Sequence, residues 1–207
     1  MRNSDNIEAL SKLPIDYMGL IFYEKSPRFV SQTFEILNNS TTIKKVGVFV
    51  KANIDFIFEK ILKYDLDAIQ IHWDTPPQYL TDLRAHLKHN KRENVAIWKA
   101  FSIDETFDFT KTQAYEGIAD TFLFDTKSPQ GGGAGVKFDW SVLHQYAGTT
   151  PFLLAGGISE NDAEAIRTIQ IPTFLGVDLN SRFEIEPAMK DIQKLKKFIQ
   201  DLENGNS

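Results

Sequence analysis

The chain contains no cysteine among its 207 residues. Disulfides, thiolate metal sites and cysteine nucleophiles are therefore excluded within it. It also lacks a basic surplus: 23 Lys and Arg stand against 28 Asp and Glu, a formal net charge of -5. Without a basic surplus to neutralise a phosphate backbone, the charge balance argues against nucleic acid as the main partner, and a local basic pocket for a small anion remains open. No apolar run approaches the ~20 residues that span a bilayer. Met1–Asn6 has no apolar h-region, so no signal peptide is expected. The expectation is a cytoplasmic protein with no membrane partner. Histidine is sparse and scattered, at His72, His86, His89 and His144. His86 and His89 lie among Arg84, Lys88 and Lys91, which reads as a solvated helix face, and no metal site is expected. Linkers and low-complexity segments are missing as well, so residues 1–207 read as one domain.

What is present is an alternation of short apolar runs with amphipathic stretches. The 42% hydrophobic and 25% charged fractions are those of a soluble globular protein. Strands are expected at Tyr17–Phe22, Lys45–Val50, Ala68–His72, Ala96–Ala100, Thr121–Asp125, Phe152–Ala155 and Thr173–Asp178. Their nearly continuous apolar character fits parallel strands buried on both faces. Helices are expected at Asp5–Leu13, Ser31–Asn38, Ile54–Tyr64, Pro77–Lys88, Asp104–Gln113, Trp140–Gln145, Glu160–Thr168 and Met189–Leu202. Ser159 or Asn161 can cap one of these, and Asp139 another. Strict alternation implies a parallel sheet with right-handed crossovers.

Seven strands against eight helices is an odd count. A TIM-type (βα)8 barrel closes with eight strands, typically in ~250 residues. The α/β fold expected here is such a barrel with its first strand missing from the chain. An open doubly wound sheet is the rival and needs no eighth strand. The barrel is preferred because the glycine motifs fall late in the chain, not after the first strand.

The stretch from Leu123 to Trp140 concentrates the chemistry. Asp125 ends the apolar run Thr121–Phe124 and opens into a loop holding Gly131, Gly132, Gly133 and Gly135. A carboxylate with apolar residues behind it and a flexible cover in front is placed where a carboxyl pKa rises toward working pH. Taken alone, the stretch reads equally well as a surface turn with an incidental Asp. Two more motifs follow the last two strands: Leu154–Ile158, with Gly156 and Gly157, and Gly176–Ser181, with Asp178, Asn180 and Ser181. Barrels often hold a phosphate in these two loops, on uncovered backbone N–H groups. Arg28, after the first strand, offers a fork for a carboxylate, although alone it reads as a surface arginine. Gln70, His72 and Lys99 fall at strand ends facing the same mouth; an ion-pair role inside the barrel is the other reading for Lys99.

These pieces resemble phosphoribosylanthranilate isomerase of tryptophan biosynthesis. The match runs over Tyr23–Val30, Val46–Val50, Ile69–His72, Lys99, Phe124–Thr126, Gly132–Gly135 with Phe138–Trp140, Leu154–Ile158, Asn161, Gly176–Asp178 and Pro187 with Lys190 and Asp191. The resemblance implies a ribulose-phosphate-binding barrel and an Amadori rearrangement of a phosphorylated small molecule, with no metal or cofactor, in a monomer or homodimer. It implies Asp125 as general acid, and Arg28 as the contact for the anthranilate carboxylate. It adds Gln70, His72, Lys99, Gly133 and Asp178 as further substrate contacts. Gly156, Gly157, Asn180 and Ser181 resemble the phosphate site.

Some positions depart from the family pattern. Trp73 stands where glycine is common, Ala134 where threonine is common, and Arg182 where glycine is common. The family's opening strand ends in Lys-x-Cys-Gly, whose cysteine removes the C2 proton; Met1 and Arg2 fall just after that pattern. A shortened chain, weakly active or inactive and prone to association at its open strand edges, is therefore expected. Other sugar-phosphate barrels are disfavoured by the lack of paired metal ligands and of a twofold repeat. A non-catalytic phosphate-binding protein remains a third reading. A shortened chain predicts in-frame coding upstream of Met1 for a short apolar strand ending in Cys-Gly. Genomic sequencing that finds a stop codon immediately upstream would sink that expectation.

Overall fold

The computed structural model describes residues 1–31, 43–126 and 139–204. The expected helix Ser31–Asn38, beyond its first residue, and the glycine-rich stretch with Gly133 lie outside the described residues. Seven strands form one parallel sheet: β1 (Tyr17–Ile21), β2 (Lys44–Phe49), β3 (Ala68–Ile71), β4 (Ala96–Ile103), β5 (Thr121–Thr126), β6 (Phe152–Ala155) and β7 (Phe174–Val177). Their order in the sheet is their order in the chain, β1 to β7. A doubly wound sheet reverses direction partway across, so this topology is that of a barrel. The sheet curls on itself: the Tyr17 ring on β1 meets the Trp98 ring on β4 edge-on at 4.8 Å, although two strands lie between them. Among the described residues β1 and β7 do not pair with each other.

Helices cover the outer face: α1 (Ser4–Leu10), α2 (Ile54–Tyr64), α3 (Pro77–His89), α4 (Ala163–Arg167) and α5 (Ile192–Glu203). Their starts follow from local chemistry. Asn3, Asn53 and Asp191 each accept a hydrogen bond from a backbone N–H in the first turn of α1, α2 and α5, satisfying donors that a helix start leaves open. Pro77 occupies the first turn of α3, where no N–H is needed. Helix α2 buries Ile57, Ile61 and Tyr64, spaced to share one face. No helix among the described residues is long and apolar enough to cross a membrane.

Four expected helices differ in type or start, Glu160–Thr168 opening as a 3-10 turn over Glu160–Asp162 before α4. In place of Asp104–Gln113 there is a 3-10 helix, Phe109–Tyr115. Asp108 begins it by accepting from the N–H and hydroxyl of Thr110. Trp140–Gln145 is also a 3-10 helix, capped by Asp139 as expected. The final helix begins at Ile192, not Met189, because Met189–Lys190 forms β9, paired antiparallel with β8 (Glu184–Glu186).

Side chains alternate across each strand, which separates two layers. On the helix side Phe101, Phe122, Phe124 and Phe152 pack with Phe109 and Tyr146, ring centroids 4.9–6.2 Å apart. On the inner side Val46, Ala68 and Trp98 form one small cluster, and Ala100, Leu123 and Ala155 another. Phe124, fully buried among five aromatic neighbours, is expected to anchor β5. Phe124→Ala should cost about 3–5 kcal/mol in urea unfolding; a loss below ~1 kcal/mol would contradict this packing.

Candidate active site

Alternation carries Gln70 on β3 and Asp125 on β5 to the inner face, near the C-terminal strand ends. Gln70 is buried, and its Nε2 lies 2.9 Å from His72 Nδ1. His72 Nε2 lies 3.3 Å from Asp125 Oδ2. An amide nitrogen only donates, so with Gln70 so oriented Nδ1 accepts and the imidazole proton sits on Nε2, facing the carboxylate. Three expected site residues thus form one chain, Gln70 to His72 to Asp125. Asp178, just after β7, joins them electrostatically. Its backbone N–H donates to Leu154 O at 2.8 Å. Burial pushes the Asp178 carboxyl up; Lys190 opposes this, Asp125 adds to it and His72 opposes it, and the net direction is up.

The turn after β6 presses against the same carboxylate. Gly156 has φ +84, and a Cβ there would lie 2.4 Å from Thr126 O and 2.6 Å from Asp125 Oδ1. Only glycine permits both the backbone angle and that approach. The Thr126 hydroxyl fixes the turn by donating to Ala155 O at 3.1 Å and Gly156 O at 2.8 Å. Gly157, at φ +67, faces open space. Ser159 closes a capping box with Asp162, whose Oδ2 accepts from the Ser159 N–H and hydroxyl. Asn180 and Ser181 follow β7, the strand paired with β6, so the two glycines and this polar pair end adjacent strands.

Arg28 does not stand free. Its Nε donates to Glu184 Oε1 at 3.0 Å and Oε2 at 2.8 Å, and its Nη2 to Oε2 at 2.5 Å. Glu184 also accepts from Ala188 N–H at 3.2 Å and lies 3.6 Å from Lys190 Nζ. Burial alone would raise the Glu184 carboxyl, but the bonds from Arg28 and the charge of Lys190 leave it lowered. Lys190 donates further to Leu179 O and Asn180 Oδ1, both at 3.0 Å. Burial pulls its ammonium down against the opposing charges of Glu184 and Asp178. Of the two, Glu184 falls in no element expected from the sequence, while Lys190 falls inside an expected helix and enters only through the family resemblance. A Glu-x-Glu-Pro run before Lys190 was the available hairpin signal.

Lys99 departs from expectation. Strand β4 runs three residues beyond the expected end, so Lys99 is mid-strand and shares the helix-facing side with Ile97 and Phe101. It is 2% exposed, donates to Trp73 O and Ala100 O, and lies 4.7 Å from the Phe101 ring centre and 5.5 Å from that of Tyr115. Burial pulls its ammonium down to about 8, with Asp74 opposing. It does not join the Gln70, His72, Asp125 and Asp178 group.

The family model described as N-(5'phosphoribosyl)anthranilate (PRA) isomerase matches residues 1–201. The chain belongs to the PRA isomerase family. It is 47% identical over 206 residues to the N-(5'-phosphoribosyl)anthranilate isomerase of Parabacteroides distasonis, covering 98% of this chain and 90% of the relative. It is 36% identical to that of Phocaeicola vulgatus, covering 98% and 94%. Among solved structures, the Thermotoga maritima PRA isomerase superposes with a TM-score of 0.77 at 25% identity, covering 99% of this chain and 96% of that one. Another PRA isomerase, solved in complex with reduced 1-(o-carboxyphenylamino)-1-deoxyribulose 5-phosphate, superposes at 0.75 with 22% identity, covering 99% and 95%.

Within this PRA isomerase fold, the contact at Gly156 gives a direct prediction. Gly156→Ala should destabilise the chain by about 1–3 kcal/mol, read as a lower urea midpoint. A midpoint equal to that of the unsubstituted protein would show that the turn relaxes without disturbing Asp125.

Proposed function

We propose that this chain is a phosphoribosylanthranilate isomerase, converting N-(5'-phosphoribosyl)anthranilate to 1-(2-carboxyphenylamino)-1-deoxyribulose 5-phosphate in tryptophan biosynthesis. The observation that carries this reading is the setting of Asp125, with His72 against one side of its carboxylate and the Gly156 turn against the other. In the first step Asp125 protonates the ribose ring oxygen. The C1–O bond breaks, and the nitrogen lone pair forms the Schiff base. Loss of the C2 proton then gives an enamine, which tautomerises to the ketone. Substrate and product are isomers, so atoms balance without a co-substrate.

Gly156, Gly157, Asn180 and Ser181 hold the phosphate, and Arg28 takes the anthranilate carboxylate. Gln70 and His72 orient Asp125, and Asp178 supports the ribose side. Gly133, outside the described residues, is a further substrate contact by the family resemblance. The protein works in the cytoplasm as one barrel domain, as a monomer or a homodimer.

The test follows loss of the fluorescent anthranilate adduct. Asp125→Asn should lower turnover by ~10²–10⁴-fold, as loss of a proton-transfer group does, while product binding persists. Unchanged turnover in that variant would remove Asp125 from the acid role. The same assay on a version carrying the family's opening strand locates the base: activity only in that version assigns proton abstraction to the added cysteine. Binding without turnover in both versions favours the non-catalytic reading, and neither binding nor turnover overturns the proposal.

A further inference from the structure

A guanidinium offers a carboxylate two forks: a side-on fork of Nε and Nη2, and an end-on fork of Nη1 and Nη2. Glu184 occupies the side-on fork of Arg28 with three contacts of 2.5–3.0 Å. Nη1 has no partner among the described residues. The Glu184 side chain is 4% exposed, that of Arg28 22%. Glu184 is itself held from the far side. The turn between β8 and β9 passes through Ala188 at φ +71, and the Ala188 N–H donates to Oε1. Lys190 lies beside the same oxygen and ties it to Leu179 and Asn180 in the loop after β7.

We propose that Glu184 is a positioning residue for carboxylate recognition: it holds the side-on fork of Arg28 and leaves the end-on fork to the ligand's aromatic carboxylate. This rests on Arg28 being the carboxylate contact in the proposed function. A carboxylate in that place has two opposite consequences. It fixes a long, flexible cation in one geometry, which strengthens binding. It also repels an incoming anion, which weakens it. Arg28 and Lys190 already neutralise the Glu184 charge, so holding outweighs repulsion. The sign of the effect is therefore a measurable quantity.

The experiment is calorimetric binding to the full chain of two probes: reduced 1-(o-carboxyphenylamino)-1-deoxyribulose 5-phosphate and its N-phenyl counterpart without the carboxylate. Glu184→Gln keeps the shape and removes the charge. It should weaken the carboxylated probe by roughly 10-fold, the worth of one charge-assisted hydrogen bond, and leave the N-phenyl probe nearly unchanged. A merely structural role would weaken both equally, and that result overturns the proposal. Tighter binding of the carboxylated probe also overturns it, since repulsion then dominates. Should Glu184→Gln fail to fold, Glu184→Asp carries the same comparison, because the shorter side chain cannot span the fork. An unsubstituted protein that binds both probes alike removes Arg28 from the carboxylate, and the proposal with it. One that binds neither overturns the functional reading itself.

Discussion

Among the described residues no backbone ladder joins β1 to β7, and contacts from α1, the β8–β9 hairpin and the loops after the two strands run between the two ends of the sheet. Unpaired backbone groups at a strand edge are costly when buried and invite association when exposed. Here the Met1 amine donates to Gly19 O at 3.0 Å, and the Met1 side chain is buried in the core. Asn6 and the Lys190 backbone exchange two hydrogen bonds, of 2.9 and 2.8 Å. Higher on the same side, Arg28 after β1 grips Glu184 after β7. The bridging elements are therefore α1, the β8–β9 hairpin and one ion pair. Because Arg28 and the loop of Asn180 belong to the candidate site, the contacts that join the edges also set the site's geometry.

The rest of the sheet is rigid for an ordinary reason. Strand β5 contacts β4 and β6 through parallel ladders, and Phe122 and Phe124 lock it to the aromatic layer outside. The inner face at Leu123 and Asp125 inherits that rigidity. A side chain one residue past a buried phenylalanine, on a central strand, has little freedom to drift. His72 and the Gly156 turn then restrict the carboxylate itself. A proton donor held this way keeps its position through a reaction, which is the part of catalysis that a scaffold supplies.

The strands were legible because parallel strands buried on both faces are continuous apolar runs, and all seven lie within a few residues of the structure. Gln70, His72 and Asp125 were legible as polar residues closing such runs. Lys99 faces outward because it shares parity with the apolar Ile97, Phe101 and Ile103, and it lies mid-strand because Phe101 and Ile103 continue the run past Ala100. The stretch from Asp104 misled because the side chain of Asp108 satisfies Thr110 locally, starting a tighter helix late. The pairing of Glu184 with Arg28 is not legible in the sequence. The two lie 156 residues apart, and neither periodicity nor spacing carries information across that distance.

Ionisable groups of both kinds meet around the mouth: Arg28, Glu184, Lys190, Asp178, His72 and Asp125. Burial pushes the Asp178 carboxyl up, and Asp125 adds to this against Lys190 and His72. In the proposed function a dianionic phosphate docks beside Asn180, whose side chain is already bound to Lys190. That negative charge draws on Lys190 and leaves less of it to offset Asp178. On that reading Lys190 links the candidate phosphate loop, through Asn180, to the ion pair of Arg28 and Glu184.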